Sequence, residues 1–268
     1  MDPLFGGTDH AVISNVDNTI RGFGSIGSRF ISDQVAVFAN LQDGLVSADV
    51  EGETLTVRNH EGSVNLGTME AINGGRLLFE NGYSNDGILI AGAHSQIEFT
   101  DELLNSATGR LEGNGEFLGD EVFNDGTIAP GDSIGHLTID STLFMQDNSH
   151  LEIQIGFEGA DLLTVTGEWL LGGDLDIILL QGHMPGEFDR FLVGTAGDGF
   201  SGFFNNVNSG ERLTTVDGLG SFIVNYDTDE LWLSNFNAIP EPGSAALLVL
   251  LTGVTCMRRR SKAGCTAI

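Results

Sequence analysis

Lysine is almost missing from this chain. Lys262 is the only one in 268 residues, and it sits in the C-terminal tail beside Arg258, Arg259 and Arg260. Both cysteines, Cys256 and Cys265, lie in the same tail, so the body has no thiols. That excludes a disulfide framework and cysteine-based zinc sites from the body. Before residue 240 there are seven basic residues against 37 acidic ones, a net charge of −30. Such a surface repels phosphate backbones and anionic membranes, which excludes nucleic acid as a partner. The charge serves solubility first, with loose cation binding by clustered Asp and Asn as the lesser reading.

What the chain has in excess is glycine, 38 residues, about twice the usual share of roughly 7%. With ordinary hydrophobic content, this favours short strands and many turns over helices. A period emerges when the chain is anchored on turn glycines preceded two residues earlier, in most copies, by a polar residue. Gln42-Asp43-Gly44, Asn65-Leu66-Gly67, Asn85-Asp86-Gly87 and Asn124-Asp125-Gly126 share the pattern, and Ala107-Thr108-Gly109 is a weaker copy. The glycine-to-glycine steps are 23, 20, 22 and 17, and the second residue after each glycine is apolar. Ala48, Ala71 and Ala91 stand four places after the first three glycines, and a second alternating segment follows, as in Leu55-Thr56-Val57 and Ile97-Glu98-Phe99.

A unit of about twenty residues cannot bury its own apolar face, but a stack of such units can. The expected fold is therefore all-β, a parallel β-helix or β-solenoid, with Gly and Asn at corners that need positive φ. A β-sandwich explains the strand lengths but gives no reason for register-matched glycines and alanines. Between Ser28 and Asn40 a helix is possible, although Val35-Ala36-Val37-Phe38 suits a strand equally. Segments from Phe188 to Val193, Gly220 to Tyr226 and Glu230 to Leu233 read as closing strands. Trp169 and Trp232 are expected in core or cap packing.

The segment Gly126-Thr127-Ile128-Ala129-Pro130-Gly131-Asp132-Ser133-Ile134-Gly135-His136-Leu137-Thr138-Ile139 continues into Leu151-Glu152-Ile153-Gln154-Ile155 and Asp161-Leu162-Leu163-Thr164-Val165. It resembles the C-terminal part of autotransporter-type passenger domains. The resemblance implies a right-handed parallel β-helix whose last rungs form a cap. It names a fold and a location but no reaction.

The tail joins three physical devices. Pro240-Glu241-Pro242 breaks regular structure, residues 245–257 are an apolar run, and Arg258, Arg259 and Arg260 follow. A helix of 13 residues is roughly 20 Å long, short of a roughly 30 Å hydrocarbon core, so it engages a membrane without anchoring well. The basic end is expected on the cytoplasmic side, with everything before it outside. This arrangement resembles the PEP-CTERM sorting signal. The resemblance implies recognition by an exosortase-type membrane protease, transient residence of the tail in the inner membrane, and delivery of the body to the cell surface or extracellular matrix. Exopolysaccharide and cell-envelope components are the further partners expected. The first residues, Met1-Asp2-Pro3-Leu4-Phe5, have neither a basic nor an apolar leader region, so the repeat array is expected to continue upstream of Met1.

The expected organisation is solenoid repeats over 1–135, passenger-like rungs and cap over 136–238, and a short helical sorting tail over 239–268. Several motifs imitate chemistry. Gly22-Phe23-Gly24-Ser25-Ile26-Gly27 satisfies a dinucleotide pattern but sits among β-repeats. Gly131-Asp132-Ser133-Ile134 with Asp147 and His150 imitates an esterase set, but the two blocks stand only 14 residues apart in all-β sequence, where such an enzyme has them at opposite ends of an α/β fold. His10, His60, His94, His136, His150 and His183 show no metal-ligand spacing. No catalytic residue, cofactor or metal is expected. The rival class is a carbohydrate-active β-helix, since that fold hosts polysaccharide lyases and hydrolases.

Overall fold

A computed structural model of the chain describes residues 11–27, 36–58 and 63–239. They form a parallel β-solenoid of about seven turns, and the only helical element among them is a single 3-10 turn, Leu180–Gly182. Each coil lays down three short strands on three faces. A well-formed coil runs Tyr83–Asn85, Ile88–Ala91, Gln96–Phe99 before the next begins at Leu103–Asn105.

Through the stacked coils the strands of each face pair in parallel with their counterparts one coil away, while the two-residue strand Gly159–Ala160 turns back antiparallel on His150–Gly156. On the second face, Thr19–Arg21, Leu45–Ala48, Thr68–Ala71, Ile88–Ala91, Arg110–Gly113, Thr127–Pro130, His150–Gly156 and Asp174–Leu179 stack in order. Two strands, Glu116–Asn124 and His136–Met145, pass from the third face to the first without a full break. The same faces continue through residue 135 into the later coils.

Period-2 alternation sends one column of side chains per position inward. Val46, Met69, Leu89, Leu111, Ile128, Leu151 and Leu175 are in register and fully buried. Leu55, Leu77, Ile97, Phe117 and Ile139 form the matching column from the third face. Neither column can be buried within one coil, and this is why stacking is obligatory. Ala48, Ala71 and Ala91 also stack in register, and none is more than 1% exposed. They mark the corner into the third face, and Gly113 takes the place in the next coil.

The end of the described chain differs. Arg190–Ala196 pairs antiparallel with Glu230–Ala238, which pairs with Gly220–Tyr226, which pairs with Arg212–Thr214. Two of the expected closing segments, Gly220 to Tyr226 and Glu230 to Leu233, fall in these strands, and of the third, Phe188 to Val193, the strand takes in only Arg190 onward. Trp169 is fully buried against Phe200 and Phe204. Trp232 is only half-buried: its indole N–H donates to Glu230, and the Arg190 guanidinium lies 4.7 Å over its ring. Of the segment from Ser28 to Asn40, residues 28–35 lie outside the described residues and Ala36–Asn40 is a strand.

Candidate functional site

The most ordered polar feature is internal. Asn15, Asn40, Asn65, Asn85, Asn105 and Asn124 end the first-face strand of six successive coils, and all are buried. Each Nδ2 donates to the Oδ1 of the next coil's asparagine, at 2.9, 2.9, 2.8, 2.7 and 2.6 Å in order. The second proton of each amide goes to a main-chain carbonyl, at the corner from Asn85 to Gly87 and from Asn105 to Gly109, and in the next coil's strand from Asn65 to Ile88. An unpartnered buried amide costs about 1–3 kcal/mol, so each coil must supply the same residue at the same place. The ladder stops at the seventh coil, where Met145 takes the register position after Asn124.

This ladder explains the uneven glycine spacing. From Asn65 onward the asparagine steps are 20, 20 and 19, whereas the corner from asparagine to glycine spans two residues in some coils and four in others. Asn40 to Gly44 and Asn105 to Gly109 are the long form. The asparagine is therefore the register mark, and the glycine moves relative to it.

The five turn glycines Gly44, Gly67, Gly87, Gly109 and Gly126 are all buried at this corner. The expected reason, positive φ, does not hold for them, because none is among the positive-φ residues. Each is glycine for want of space. A Cβ on Gly87 would come inside 3.0 Å of the Gly67 carbonyl oxygen, and one on Gly126 would do the same to Gly109. Left-handed backbone occurs instead at the corner between the second and third faces, at Gly52, Asn73, Gly74 and His94.

A second buried polar group lies beyond the ladder. Asp161 is fully buried, with Oδ1 accepting the Gly135 N–H at 2.8 Å and Oδ2 accepting the Gln154 N–H at 2.7 Å. It ties the loop containing Ser133 to the second-face strand His150–Gly156. Burial pushes its carboxyl up to about 7, with the two N–H donors pulling the other way.

Among the described residues a polar groove of about 440 Å³ lies on the third face, lined by His94, Gln96, Asn114, Glu116, His136 and Thr138. Gln96 donates to Glu116, and the His136 ring nitrogen sits 2.8 Å from the Thr164 hydroxyl. Glu116 is the single carboxylate in the lining, so hydroxyl-rich ligands can be hydrogen-bonded there, but the two carboxylates of a glycosidase pair cannot be drawn from the lining alone.

The imitating motifs come apart. Gly24–Ile26 within the glycine pattern is a strand paired in parallel with residues 55–57. His150 bonds through Nδ1 to Asp176, not to Asp147, while Ser133 lines a separate hollow of about 270 Å³ with Ile134 and Phe157. Among the described residues no group of three or more His, Cys, Asp or Glu is placed to hold a metal ion. Pro240, Glu241, Pro242, Arg258, Arg259 and Arg260 lie outside the described residues. Within those residues no helix is long and apolar enough to cross a membrane. No family model, curated protein or solved structure matches the chain.

Proposed function

We propose that the chain is a non-enzymatic, exported protein of the bacterial cell surface or extracellular matrix, structural or adhesive in role, delivered through its C-terminal tail. The observation that carries this reading is a stiff rod joined to a tail of opposite character. Eight parallel strands at about 4.8 Å spacing give a stack of roughly 34 Å. The rod is strongly acidic, whereas the tail has proline breakers, an apolar run and clustered arginine. The finer features belong to the same reading: right-handed winding, the antiparallel strands acting as a cap, a helical tail, and Pro240-Glu241-Pro242 read by an exosortase-type membrane protease.

The test is to express the chain with and without residues 240–268 in a host that carries such a protease, and to fractionate the cells. Loss of envelope retention on deletion, reproduced by Pro240→Ala with Pro242→Ala, supports sorting. Unchanged retention refutes it.

Carbohydrate binding or turnover is the second reading, and the groove around Gln96, Glu116 and His136 favours it. Incubation with bacterial and algal polysaccharides, read by reducing ends or unsaturated-product absorbance, separates the two. The structural reading expects no turnover.

A further inference from the structure

The first face of the solenoid carries an apolar stripe on its outside. Leu104, Phe123, Phe144 and Leu170 occupy one register column in four successive coils. Their neighbours Leu103, Val122, Leu143 and Trp169 point inward and are fully buried, so alternation turns this column to solvent. Leu104 is 42% exposed, and Phe123 and Phe144, whose rings stack at 4.6 Å, are both half-buried. An outward column of this kind on a protein so rich in carboxylates calls for a cover.

Charge decides what the cover is. Glu102 and Glu168 stand just before the strands that bear Leu104 and Leu170, Glu121 lies within Glu116–Asn124 two residues before Phe123, and Asp125 and Asp147 follow the ends of the strands bearing Phe123 and Phe144. Glu168 reaches across to the hydroxyl of Ser201, the register position after Leu170, which puts its carboxylate at the end of the stripe. None of these five carboxylates forms an ion pair with a described residue; the ion pairs of the body involve other acids, as in Arg58 with Glu80 and Arg110 with Glu112 and Glu152. A second copy of the body would bring carboxylates against carboxylates, and an anionic lipid surface would be repelled in the same way. The complement is a segment that is apolar along its length and cationic at one end.

The chain contains such a segment. Residues 245–257 are apolar, and Arg258, Arg259, Arg260 and Lys262 follow. Reach is no obstacle: the 29 residues after Ile239 span up to roughly 95 Å when extended, more than the height of the whole stack. We propose that the tail docks back on this stripe, with the apolar run over Leu104, Phe123, Phe144 and Leu170 and the basic cluster against the flanking carboxylates. Docking would keep the apolar run out of water until a membrane competes for it. It rests on the chemistry of tail and stripe and holds whether or not the tail is a sorting signal.

Cys256, inside the apolar run, is a natural reporter. With Cys265→Ser, the full chain has a single thiol, which can carry an environment-sensitive fluorophore. In purified protein without lipid or protease, at low salt, the expected emission is blue-shifted and independent of protein concentration. The double substitution Phe123→Ser with Phe144→Ser should abolish the shift while the β-sheet circular dichroism remains. Should that variant fail to fold, Glu102→Gln with Glu121→Gln and Glu168→Gln, which alters only flanking carboxylates, should weaken the shift and its salt sensitivity. A label that reports water in the unsubstituted chain overturns the proposal. So does a shift that survives the substitutions, or one that grows with protein concentration and so reports tails joining separate copies. Because neither envelope nor protease is present, failure of the sorting reading leaves this outcome untouched.

Discussion

The coils up to Asn124 and the coils after it are one stack held in register by two different means. In the first region a buried amide recurs in six coils, and each coil is specified by the same residue at the same corner. In the second, Met145 replaces the amide, Trp169 fills the inside of the following coil, and Asp161 clasps two backbone N–H groups. A hydrogen-bonded ladder demands identity at each step, whereas an apolar stack asks only for compatible volume. The first region is therefore the more repetitive in sequence and the second the more varied, with no change in the parallel architecture that links them.

The comparison can be broken at either side. The largest effect is expected from Trp169→Ala, which empties the biggest fully buried side chain and should cost about 3–5 kcal/mol in denaturant unfolding. A smaller loss would mean that the later coils collapse around the gap. Next comes Asn85→Leu in mid-ladder, which strips Asn65 of an acceptor and Asn105 of a donor; about 2–4 kcal/mol is expected. Gly87→Ala, which pushes a methyl at the carbonyl of the neighbouring coil, should cost about 1–3 kcal/mol without any change in φ preference. Replacement by D-alanine through semisynthesis should give no relief, as it would if a left-handed backbone were the reason for glycine.

Asp161 sharpens the contrast through pH. Its carboxyl is raised from 3.8 to about 7 by burial, so the folded state binds the proton more tightly than the unfolded state. Its contribution to stability is full below about 3.8 and is lost as pH rises through about 7. The expected slope is no more than about 1.4 kcal/mol per pH unit across that window, and it should vanish in Asp161→Asn. The smallest effect is expected from Asn124→Met, which copies the next coil's residue at the ladder's end. It removes one acceptor from Asn105, whose amide still reaches Gly109, and about 1 kcal/mol or less is expected from thermal or urea melts.

The solenoid was legible in the sequence because its cause is periodic: apolar residues two places after the turn glycine and a stacked alanine four places after. Both columns appear in the structure in register. The asparagine ladder was not legible from glycine-anchored alignment, since Asn40 and Asn105 sit four residues before their glycine and fell out of the frame. Aligning on asparagine instead would have found it. The reason assigned to the glycines also misled, because a sequence pattern cannot distinguish a residue chosen for its backbone angles from one chosen for having no side chain to clash. Trp232, expected in core or cap packing, sits in a closing strand half-buried under Arg190, a packing partner that the sequence pattern does not name. Asp161 gave no signal, because one buried acid in a chain with 38 carboxylates has no distinguishing neighbour in sequence.

The amides from Asn15 to Asn124 all point the same way, each handing its proton to the coil that follows. Turning one of them over would set oxygen against oxygen on one side and N–H against N–H on the other. No single member can therefore reverse alone, and the row behaves like a line of dominoes leaning in one direction. Loosening at any coil is felt along the whole row, so these six coils should open as a single unit.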